Sequence, residues 1–600
     1  MLEVSHLDPV RHSLAHLLAM AVLKKFPKAQ LGIGPVIEHG FYYDFKLPQA
    51  IKDEDLPELE ATMRGIIAQK LDFTGEDVTV QKAHALFKTQ PFKLDLIKEF
   101  AKESKQLTIY HTGISTTYNP PAGEQPTTSF TDLCRGGHVK NTSEINPDAF
   151  KLDRIAGAYW RGDEKNPQLT RIYGLAFGSR GELEKHIAFL EEVKKRDHKK
   201  LGPVLDLFTF SELVGPGLPL WTPKGTLLRD TLDNLVWQLR REKGYERVDI
   251  PHITKKDLYE TSGHWDKFKD ELFRITTREG HQFAMKPMNC PHHTQIYARK
   301  QWSYRELPQR YASTTKVYRD EQTGELAGLS RVRAITQDDA HVFCRESHVK
   351  DEIRAIWDIV ARFYRAVGFE KLAIRLSLHD PAEPGKYLGS PALWKKAEET
   401  LRELVREQGA DAFEARGEAA FYGPKIDFLA HDSLGREWQV ATIQLDMNQP
   451  ERFDLYCIDE EGKKERVVMI HAAIMGSIER FLSILIEHYA GAFPMWLAPV
   501  QAAILPINDK VVGYAEDVKK LLDEKGVRVS LDARNESIGK KIREAELQKI
   551  PYLLVIGGRE AEARAVAVRA RGAGDQGAMP LDDLARMLAR ELAADIAADK

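Results

Sequence analysis

The sequence has 600 residues, about four times the length of a typical domain, so more than one hydrophobic core is expected. Lysine and arginine total 86 and aspartate and glutamate total 89, which excludes a histone-like polycation but not a basic nucleic-acid-binding face. Four cysteines are too few for a disulfide-stabilised scaffold, no apolar run reaches the roughly 18 residues of a membrane span, and the N-terminus has no secretory pattern. We therefore expect a soluble, multidomain protein of the cytoplasm.

The first 180 residues combine helix and strand patterns. Apolar residues recur at helical spacing from Val10 to Val22, behind Asp8, which could cap the helix, and Pro9, which suits its first turn. An aromatic run over 40–45 predicts a strand. The charged segment 181–200 has apolar residues on one face, and it predicts a helix that joins two domains and is broken at Gly202–Pro203.

Longer helices and strands are predicted between about residues 203 and 497. A helix from Leu228 to Leu239 should end at Gly244, and Val248–Pro251 should be extended. The runs 420–430 and 436–445 are rich in aromatic and β-branched residues, which is typical of neighbouring strands.

The last hundred residues alternate between short strands and helices. Strands are expected at 502–506, 527–531 and 552–556, and helices at 514–525 and 537–548. That order predicts a separate α/β domain with a parallel sheet.

Two pairs of side chains in the first part of the chain could act together. His12 and His16 are four residues apart, which places them on the same side of a helix, and Cys134 and His138 span a glycine turn. These groups could form a cluster of three histidines and one cysteine, or remain two unrelated pairs. Ser13 stands where zinc-protease helices carry glutamate, so a protease is disfavoured.

Two arginine motifs suit the binding of phosphate. In Tyr318–Glu321, Arg319 could hold a phosphate while Glu321 accepts a hydrogen bond from a base amino group. In Gly476–Phe481, Ser477 is a normal helix cap and Arg480 adjoins an apolar face. Either motif alone is more often a surface ion pair or a structural feature.

Three potential metal ligands, Cys290, His341 and His471, are far apart in the sequence, with Asp338 and Asp339 just before His341. Two imidazoles and a thiolate with an open fourth position would suit a catalytic zinc site. Their spacing gives no support to this hypothesis.

Three segments resemble, in their order along the chain, motifs 1, 2 and 3 of the class II aminoacyl-tRNA synthetases. They are the Leu228–Leu239 helix with the extended segment that ends at Pro251, the Arg319 motif and the Arg480 motif. The local sequences are similar to those of bacterial threonyl-tRNA synthetases in Met285–Pro291, Arg331–His341, Phe421–Lys425, Met469–Ser477, the His12/His16 and Cys134/His138 pairs, Gly157–Gly162 and Asp532–Gly539. The resemblance covers essentially the whole chain. It also implies that the small extra domain with which many members begin is missing here.

The resemblance implies a multidomain α+β and α/β protein. We expect an α+β editing domain at 1–180, a linker helix at 181–202, a class II antiparallel-sheet catalytic domain at 203–497 and an α/β anticodon-binding domain at 498–600. The implied reaction is ATP-dependent ligation of L-threonine to tRNA(Thr) through a threonyl-adenylate, with hydrolytic editing of mischarged seryl-tRNA(Thr). The other implied partner is a second copy of the chain, bound through the surface around motif 1.

The resemblance also assigns roles to individual residues. Cys290, His341 and His471 would hold one zinc ion per subunit, whose open position takes the amino and hydroxyl groups of threonine. Arg319 would bind the α-phosphate of ATP, supplied with Mg²⁺, Glu321 the adenine amino group, and Arg480 the γ-phosphate. Other matching positions line the amino-acid and adenosine pocket (Gln337, Asp339, Tyr422, Gln439 and Gln444), assist editing (Lys93 and Asp132 beside His12, His16, Cys134 and His138) or contact the anticodon (Asn535, Glu560 and Arg569).

Two sites in one chain suit the problem of selecting threonine. An apolar pocket separates threonine from the isosteric valine by only about a hundredfold, whereas a metal that must bind the hydroxyl group rejects valine more strongly. Serine keeps the hydroxyl group and lacks one methyl group, worth roughly 1–3 kcal/mol, so a second, hydrolytic site is needed.

Three points remain open at this level. The editing cluster could bind a second zinc, as in the alanyl relatives, but the threonyl family uses these groups without metal, and we expect the metal-free form. An alanyl-tRNA synthetase is disfavoured by the catalytic sequences, and an inactive RNA-binding relative by the presence of Arg319, Glu321 and Arg480. Two departures from the family are Ile335, in place of an aromatic side chain that stacks on adenine, and His292, in place of glycine, which would add a spare imidazole near the zinc.

Overall fold

Helix α1 (Asp8–Lys25) opens the part of the chain that the computed structural model describes, which comprises residues 6–103, 106–113 and 130–597. The outermost residues of the predicted terminal domains, 1–5 and 598–600, lie outside it. The chain divides into two compact units, Met1–Glu192 and Val193–Lys600. None of the helices in these described stretches combines the length and the apolar character needed to cross a membrane.

The N-terminal unit has the expected α+β architecture, built on two antiparallel sheets. Its helices are α1, α2 (Leu56–Ile67), α3 (Val80–Leu86), α4 (Pro91–Lys102) and α5, which runs from Arg180 to Arg196. Its strands are β1 (Gln30–Leu31), β2 (Val36–Ile37), β3 (Gly40–Lys46), β4 (Asp72–Val78), β5 (Leu107–Gly113), β6 (Phe130–Leu133), β7 (Phe150–Tyr159) and β8 (Gln168–Ala176). One sheet has the order β1-β3-β8-β7, with β2 beside β3, and the other has the order β4-β5-β6. Apolar side chains of α1 and α2 pack with Phe41, Tyr43 and Phe45 of β3 in the main core.

Two sequence-based expectations about helix ends are wrong. Asp8 does not cap α1, because it is already the first helical residue; its carboxylate instead lies 3.6 Å from the Arg11 guanidinium. The predicted linker helix does not end at Gly202–Pro203. It ends at Arg196, because Asp197 accepts a hydrogen bond from the Lys199 N–H at 2.8 Å and so caps a new helix, α6 (His198–Val204).

The C-terminal unit is organised around an eight-stranded sheet with the order β11-β16-β17-β24-β21-β20-β18-β19. The strands of this part are β9 (Phe208–Thr209), β10 (Leu220–Trp221), β11 (Glu246–Arg247), β12 (Ile253–Lys255), β13 (Arg274–Thr276), β14 (Gln282–Met285), β15 (Trp302–Ser303), β16 (Gln309–Tyr318), β17 (Ala334–Cys344), β18 (Leu372–Leu378), β19 (Ala412–Arg416), β20 (Lys425–His431), β21 (Glu437–Asp446), β22 (Tyr456–Ile458), β23 (Lys464–Arg466) and β24 (Val468–Ser477). The helices are α7 (Pro223–Glu242), α8 (Lys256–Ser262), α9 (His264–Lys267), α10 (Cys290–Tyr297), α11 (Val349–Ala366), α12 (Pro391–Glu407), α13 (Asn448–Arg452) and α14 (Ile478–Tyr489).

The eight-stranded sheet is antiparallel in its centre, as expected for a class II core. At the two edges, β11 pairs in parallel with β16, and β19 pairs in parallel with β18. Apolar side chains of α7, α11 and α14 bury one side of the sheet in the largest core of the protein. The predicted neighbours at 420–430 and 436–445 are the antiparallel pair β20 and β21, whereas the strand predicted at Val248–Pro251 is shifted to β11.

The last hundred residues form the predicted α/β fold. Strands β25 (Ala502–Pro506), β26 (Val529–Leu531) and β27 (Tyr552–Ile556) pair in parallel, and helices α15 (Val512–Glu524) and α16 (Ile538–Leu547) connect them. The sequence-based prediction did not include α17 (Gly558–Glu562), the antiparallel strands β28 (Ala565–Ala570) and β29 (Gly574–Pro580), or α18 (Leu581–Ala597).

Candidate active sites

An open cleft with about 560 Å³ of space is lined by residues of β17, β21, β24, the start of α14 and the loop after β16. Five residues predicted from the sequence line it: Arg319, Glu321, Gln337, Gln439 and Arg480. Ile335 lines it as well. The remaining three predicted residues adjoin the potential metal ligands: Asp339 lies 3.8 Å from His341, the Tyr422 ring stacks 5.0 Å from that of His471, and Gln444 pairs with His471 in the sheet.

Two cations of the cleft keep hydrogen-bonding capacity for a ligand. The Arg319 guanidinium lies 5.3 Å from the Phe268 ring and donates to the Met288 sulfur at 3.3 Å; the Glu271 carboxylate lies 3.9 Å from its buried Nε, which makes no hydrogen bond in the described structure. Arg480 is exposed at the start of α14, where Ser477 caps the helix as predicted. Among the described residues, no carboxylate lies within salt-bridge distance of Arg480. Both guanidinium groups can therefore meet an anion such as a polyphosphate.

Glu321 is buried beside these cations, and Arg331 donates to its carboxylate from Nε at 2.8 Å. Arg333 donates to the Glu321 backbone carbonyl at 2.9 Å, and the Arg319 N–H donates to the Arg333 carbonyl at 3.0 Å. The loop between β16 and β17 is thus closed on itself by its own arginines, which orients the Glu321 side chain in the cleft.

A buried carboxylate, Asp427, orients Gln439. The Gln439 Nε2 donates to Asp427 at 2.7 Å, and Arg375 donates to the Gln439 Oε1 at 2.7 Å, so the amide can face only one way. Asp427 has no exposed surface and also accepts hydrogen bonds from Arg375, Ser377, Lys425 and Thr442, at 3.1, 2.7, 2.9 and 2.8 Å. Sequence analysis did not identify Asp427, because its five donors come from three separate strands, β18, β20 and β21.

The predicted zinc ligands Cys290, His341 and His471 do come together, and we call them the core cluster. The start of α10 supplies Cys290, and β17 and β24 supply the two histidines, which face each other in register. All three are buried, and their ligand atoms lie within 4.8 Å of one another. The inner nitrogens, His341 Nε2 and His471 Nδ1, are 3.1 Å apart.

The contacts behind the core cluster fit a metal ion. His471 Nε2 donates to the Asp446 carboxylate at 2.9 Å, which leaves a lone pair on the inner His471 Nδ1. The outer His341 Nδ1 lies 2.8 Å from His293 Nδ1, so His341 can present a second lone pair towards the same point. Burial raises the pKa of the Cys290 thiol well above its usual value, and a cation is what would stabilise the thiolate there. Donor types, burial and orientation therefore suit zinc.

The imidazole that contacts the core cluster is not the one that sequence analysis named, and a further histidine near the cluster was missed. His293, not His292, contacts the core cluster; the His292 ring lies 6.2 Å from that of Tyr259 and makes no described hydrogen bond. His264 Nε2 lies 3.8 Å from the Cys290 sulfur. His264 carried no signal in the sequence, because 26 residues separate it from Cys290.

The N-terminal cluster of His12, His16, Cys134 and His138 also forms, with ligand atoms within 4.8 Å of one another. The first two residues lie on α1 and the others follow β6. Between Cys134 and His138, Gly136 and Gly137 adopt φ angles of +83° and +84°, which other residues rarely tolerate.

Hydrogen bonds inside the N-terminal cluster satisfy His138. Its Nε2 lies 3.2 Å from the Cys134 sulfur and its Nδ1 lies 3.2 Å from the Ser13 hydroxyl. Ser13 accepts from the Val139 N–H at 3.1 Å, so its own hydrogen can be donated to His138 Nδ1, and Nε2–H can then be donated to the sulfur. The ring also stacks between His12 and Phe73, at 4.0 and 5.0 Å.

The charges near the N-terminal cluster are buried and paired. Asp132 accepts hydrogen bonds from Lys93 and from the Tyr43 hydroxyl, both at 2.5 Å, and lies 3.8 Å from His16. Burial lowers the pKa of His12, and lowers those of His16 and His138 much further below the usual value. Burial also raises the pKa of the Cys134 thiol to about 12. The cluster is therefore neutral near pH 7, and the buried Nδ1 of His16 has no described hydrogen-bond partner.

The predicted anticodon residues lie on separate elements: Asn535 is exposed in the loop after β26, Glu560 is on α17 and Arg569 is on β28. No hydrogen bond or ion pair joins these three in the described structure. Glu560 accepts from the Gly557 N–H at 2.9 Å, and Arg569 lies 3.6 Å from Asp575.

Family models match three regions of the chain. They are "tRNA synthetase class II core domain (G, H, P, S and T)" at 273–489, "Anticodon binding domain" at 501–591 and "Threonyl and Alanyl tRNA synthetase second additional domain" at 108–173. The fold and the cleft thus define a class II aminoacyl-tRNA synthetase.

Comparison with individual proteins narrows this class. The threonine–tRNA ligase of Gloeobacter violaceus is 47% identical over 98% of this chain and 92% of its own length, and that of Porphyromonas gingivalis is 46% identical over 97% and 87%. A solved structure titled as the RNA binding domain of threonyl-tRNA synthetase from Cryptosporidium parvum matches with a TM-score of 0.62 and 38% identity, over 66% of this chain and 98% of its own. The chain belongs to the threonine–tRNA ligase family.

Proposed function

We propose that the protein ligates L-threonine to tRNA(Thr) with ATP, through a threonyl-adenylate, and hydrolyses mischarged seryl-tRNA(Thr) at its N-terminal cluster. One observation carries the first activity: two guanidinium groups that make no hydrogen bond to a carboxylate in the described structure line a cleft whose strands β17 and β24 also hold the core cluster. Ala473 lines the cleft and is only two residues from His471 on β24. An amino acid bound at the core cluster would thus lie beside a bound nucleotide.

In the proposed activation step, the threonine carboxylate attacks the α-phosphorus of ATP, supplied with Mg²⁺, and pyrophosphate leaves. Arg319 would neutralise the charge that develops at the α-phosphate, and Arg480 would bind the γ-phosphate. Glu321, held by Arg331, would accept from the adenine amino group, and Ile335 would pack on the base with an aliphatic surface.

In the proposed amino-acid pocket, Asp339 would accept a hydrogen bond from the threonine amino group, and Tyr422, Gln439 and Gln444 would surround the substrate. A zinc ion held by Cys290, His341 and His471, one per subunit, would offer an open coordination position for the amino and hydroxyl groups of threonine. The single orientation of the Gln439 amide means that this part of the pocket is formed before the substrate arrives.

In the proposed editing step, a water molecule attacks the ester bond of seryl-tRNA, and neutral imidazoles of His12 and His16 orient it and transfer protons. Lys93 and Asp132 would position these groups from behind. We propose that this cluster works without metal, because both nitrogens of His138 already have partners, Cys134 and Ser13.

We propose the domain ranges 1–180, 203–497 and 498–600 for editing, catalysis and anticodon binding, joined by 181–202. Asn535, Glu560 and Arg569 would contact the anticodon, and base-edge contacts of this kind would specify the tRNA. Two neighbouring basic residues are already engaged within the protein: Arg534 is paired with Asp532 and Glu544, and Lys541 donates to backbone carbonyls.

We propose a homodimer of the cytoplasm, where tRNA is charged. Apolar side chains are concentrated in the stretch that precedes and begins α7, with Leu213 fully exposed and Val204, Phe210, Val214 and Leu220 between 40% and 59% exposed. An apolar patch of this kind is typical of a surface that another chain covers.

Threonine-dependent ATP–pyrophosphate exchange tests the proposed activation directly. We expect exchange with threonine, weak exchange with serine and almost none with valine, and charging of tRNA(Thr) with threonine. An RNA-binding relative without activity would bind tRNA(Thr) but show no exchange with any amino acid. Failure to exchange with threonine in a well-folded preparation would overturn the proposed function.

A further inference from the structure

A third group of potential metal ligands lies outside both clusters. Asp197, His198 and Glu487 place their ligand atoms within 4.8 Å of one another. His198 Nδ1 donates to a Glu487 oxygen at 2.6 Å, and the other Glu487 oxygen accepts from Arg436 at 2.6 Å. The remaining imidazole nitrogen, His198 Nε2, accepts from the Leu329 N–H at 3.1 Å. Because these nitrogens and oxygens all have partners, the triad is a hydrogen-bonded junction and not a vacant metal site.

The junction joins three elements that are far apart in the sequence. His198 begins α6, Glu487 lies near the end of α14, and Leu329 lies in the loop between β16 and β17. His198 and Leu329 are both buried, at 3% and 0% exposure. Accepting from a backbone N–H requires a lone pair on Nε2, and the Glu487 carboxylate supplies it by holding the proton on Nδ1.

The loop approaches the imidazole closely at Gly328. A Cβ atom added there would lie 2.4 Å from His198 Nε2, and Gly328 has a φ of +58°. Next to Leu329, the Ser330 hydroxyl lies 3.0 Å from that of Ser483, which donates to the Arg480 carbonyl at 2.7 Å. The loop is thus fastened to α14 at two adjacent residues, one of them through His198.

The same loop carries the proposed adenine site. Arg331 follows directly after Leu329 and Ser330 and donates to the Glu321 carboxylate at 2.8 Å. Helix α14 carries Arg480 in its first turn. The contact between His198 and Leu329 therefore links the loop that carries Glu321 and Arg331 to the helix that carries Arg480, and all three residues line one cleft.

We propose that His198 is a positioning residue for ATP: by accepting from the Leu329 N–H, it holds the loop between β16 and β17 at the spacing from α14 that the nucleotide requires. This inference rests on the proposed function. His198 does not line the cleft, so it acts only through the loop. The residues proposed to hold threonine lie on β17, β21 and β24 or follow β19, and they do not depend on this contact.

Two substitutions separate the nitrogens of His198. In His198→Asn, the amide reaches the position of Nδ1, so it can still donate to Glu487 but cannot reach Leu329. In His198→Gln, the longer side chain can place its oxygen near the position of Nε2 and accept from Leu329. We expect His198→Asn to raise the KM for ATP in pyrophosphate exchange by about three- to tenfold, in line with the loss of one hydrogen bond. The kcat and the KM for threonine should remain within about twofold of wild type, and His198→Gln should recover most of the affinity for ATP.

His379 supplies a matched control. His198 donates to Glu487 from Nδ1 and also from its backbone N–H, at 3.2 Å. His379 donates to Glu398 in the same way, from Nδ1 at 2.6 Å and from its backbone N–H at 3.0 Å, but it follows β18 and lies outside the cleft. His379→Asn should leave the KM for ATP unchanged. If His198 were merely structural, His198→Asn and His379→Asn would alter thermal stability to similar extents without a selective effect on ATP. That outcome would overturn the proposal, as would equal KM values for the His198→Asn and His198→Gln variants.

A second pair of variants tests the contact from the loop side, in case His198→Asn does not fold. Gly328→Ala forces the loop away from His198, whereas Gly324→Ala, in the same loop, meets nothing within 4 Å. Only the first should raise the KM for ATP, and equal values would contradict the proposal. If wild type shows no exchange with threonine, the proposed function fails; if wild type is active and none of these variants changes the KM for ATP, only this inference fails. Loss of a bound metal ion in His198→Asn, measured by elemental analysis, would show that the triad is a metal site and would also overturn it.

Discussion

The core cluster and the N-terminal cluster are built from the same types of side chain, cysteine and histidine, but differ in the groups that surround them. In the core cluster, Asp446 and His293 contact the outer nitrogens of the two histidines, so the inner nitrogens can point lone pairs at one position. In the N-terminal cluster, His138 Nδ1 contacts the Ser13 hydroxyl and His138 Nε2 contacts the Cys134 sulfur, so both nitrogens have partners. The ligand types alone would give both clusters the same function, whereas the contacts behind them favour metal binding in one and proton transfer in the other.

If the two clusters serve separate reactions, inactivating one centre should leave the activity of the other unchanged. Arg319→Ala should lower ATP–pyrophosphate exchange by about 10³-fold or more, because a fixed cation at the α-phosphate is lost. Hydrolysis of preformed seryl-tRNA(Thr) should keep its wild-type rate. Arg354→Ala, which removes a surface arginine paired with Asp351 and Glu407, is the control and should change neither rate.

The reciprocal change acts on the N-terminal cluster. The double variant His12→Ala, His16→Ala should lower the hydrolysis of seryl-tRNA(Thr) by about 10²-fold or more, since both proposed acid–base groups are removed. Threonine activation should be unchanged, and seryl-tRNA should accumulate during charging with serine. His111→Ala, at a half-exposed histidine of the same unit, should hydrolyse normally. Wild-type hydrolysis by the double variant would rule out this cluster as the editing site.

The third prediction concerns the groups that contact the outer nitrogens of the core cluster. Asp446→Asn should weaken zinc binding by about 10–100-fold, because the His471 tautomer is no longer fixed by a carboxylate. Zinc is measured by competition with a chromophoric chelator. Cys290→Ser should lose zinc more completely, whereas Cys134→Ser should retain the wild-type content of about one zinc per chain. Two zinc ions in wild type, one of them lost in Cys134→Ser, would contradict the difference between the clusters.

The smallest expected effect is on the pH dependence of editing. Burial lowers the pKa of His12 and that of His16, so both imidazoles become protonated at a lower pH than an ordinary histidine. Hydrolysis of seryl-tRNA, corrected for spontaneous hydrolysis, should therefore lose less activity between pH 8 and 5.5 than the about tenfold that an ordinary histidine would lose. The unfolded chain binds protons that the folded cluster excludes, so the free energy of unfolding should fall as pH drops below about 6.5. A tenfold loss of rate at pH 5.5 would show that the imidazoles titrate normally.

Local patterns predicted the elements that depend on local contacts. Ser477 caps α14 as predicted, and β20 and β21 pair where aromatic and β-branched residues are concentrated. Asp8 failed as a cap because a residue type that favours caps is equally stable in the first turn, near the positive end of the helix dipole. Strand β29 was missed because its exposed sequence, GDQGAMP, has no alternation of apolar and polar residues.

In the candidate sites, too, residues with a local sequence signal were predicted, and residues that depend on distant contacts were not. The resemblance named the side chains that line the cleft, but not those that hold them. His293, Asp427 and His198 act through partners that the fold brings from distant positions: His198 and Leu329 are 131 residues apart. No spacing rule connects such pairs, since a buried polar contact depends on how whole elements pack and not on the residues between them.

The five donors around Asp427 limit how this part of the protein can evolve. The carboxylate has no exposed surface in the folded protein, and each donor that is lost leaves hydrogen-bonding capacity unsatisfied at a cost of about 1–3 kcal/mol. Single substitutions at Arg375, Ser377, Lys425, Gln439 or Thr442 should therefore be selected against, while compensated combinations should survive. A mutant library intended to change which amino acid or nucleotide the cleft accepts has to vary these positions together with Asp427.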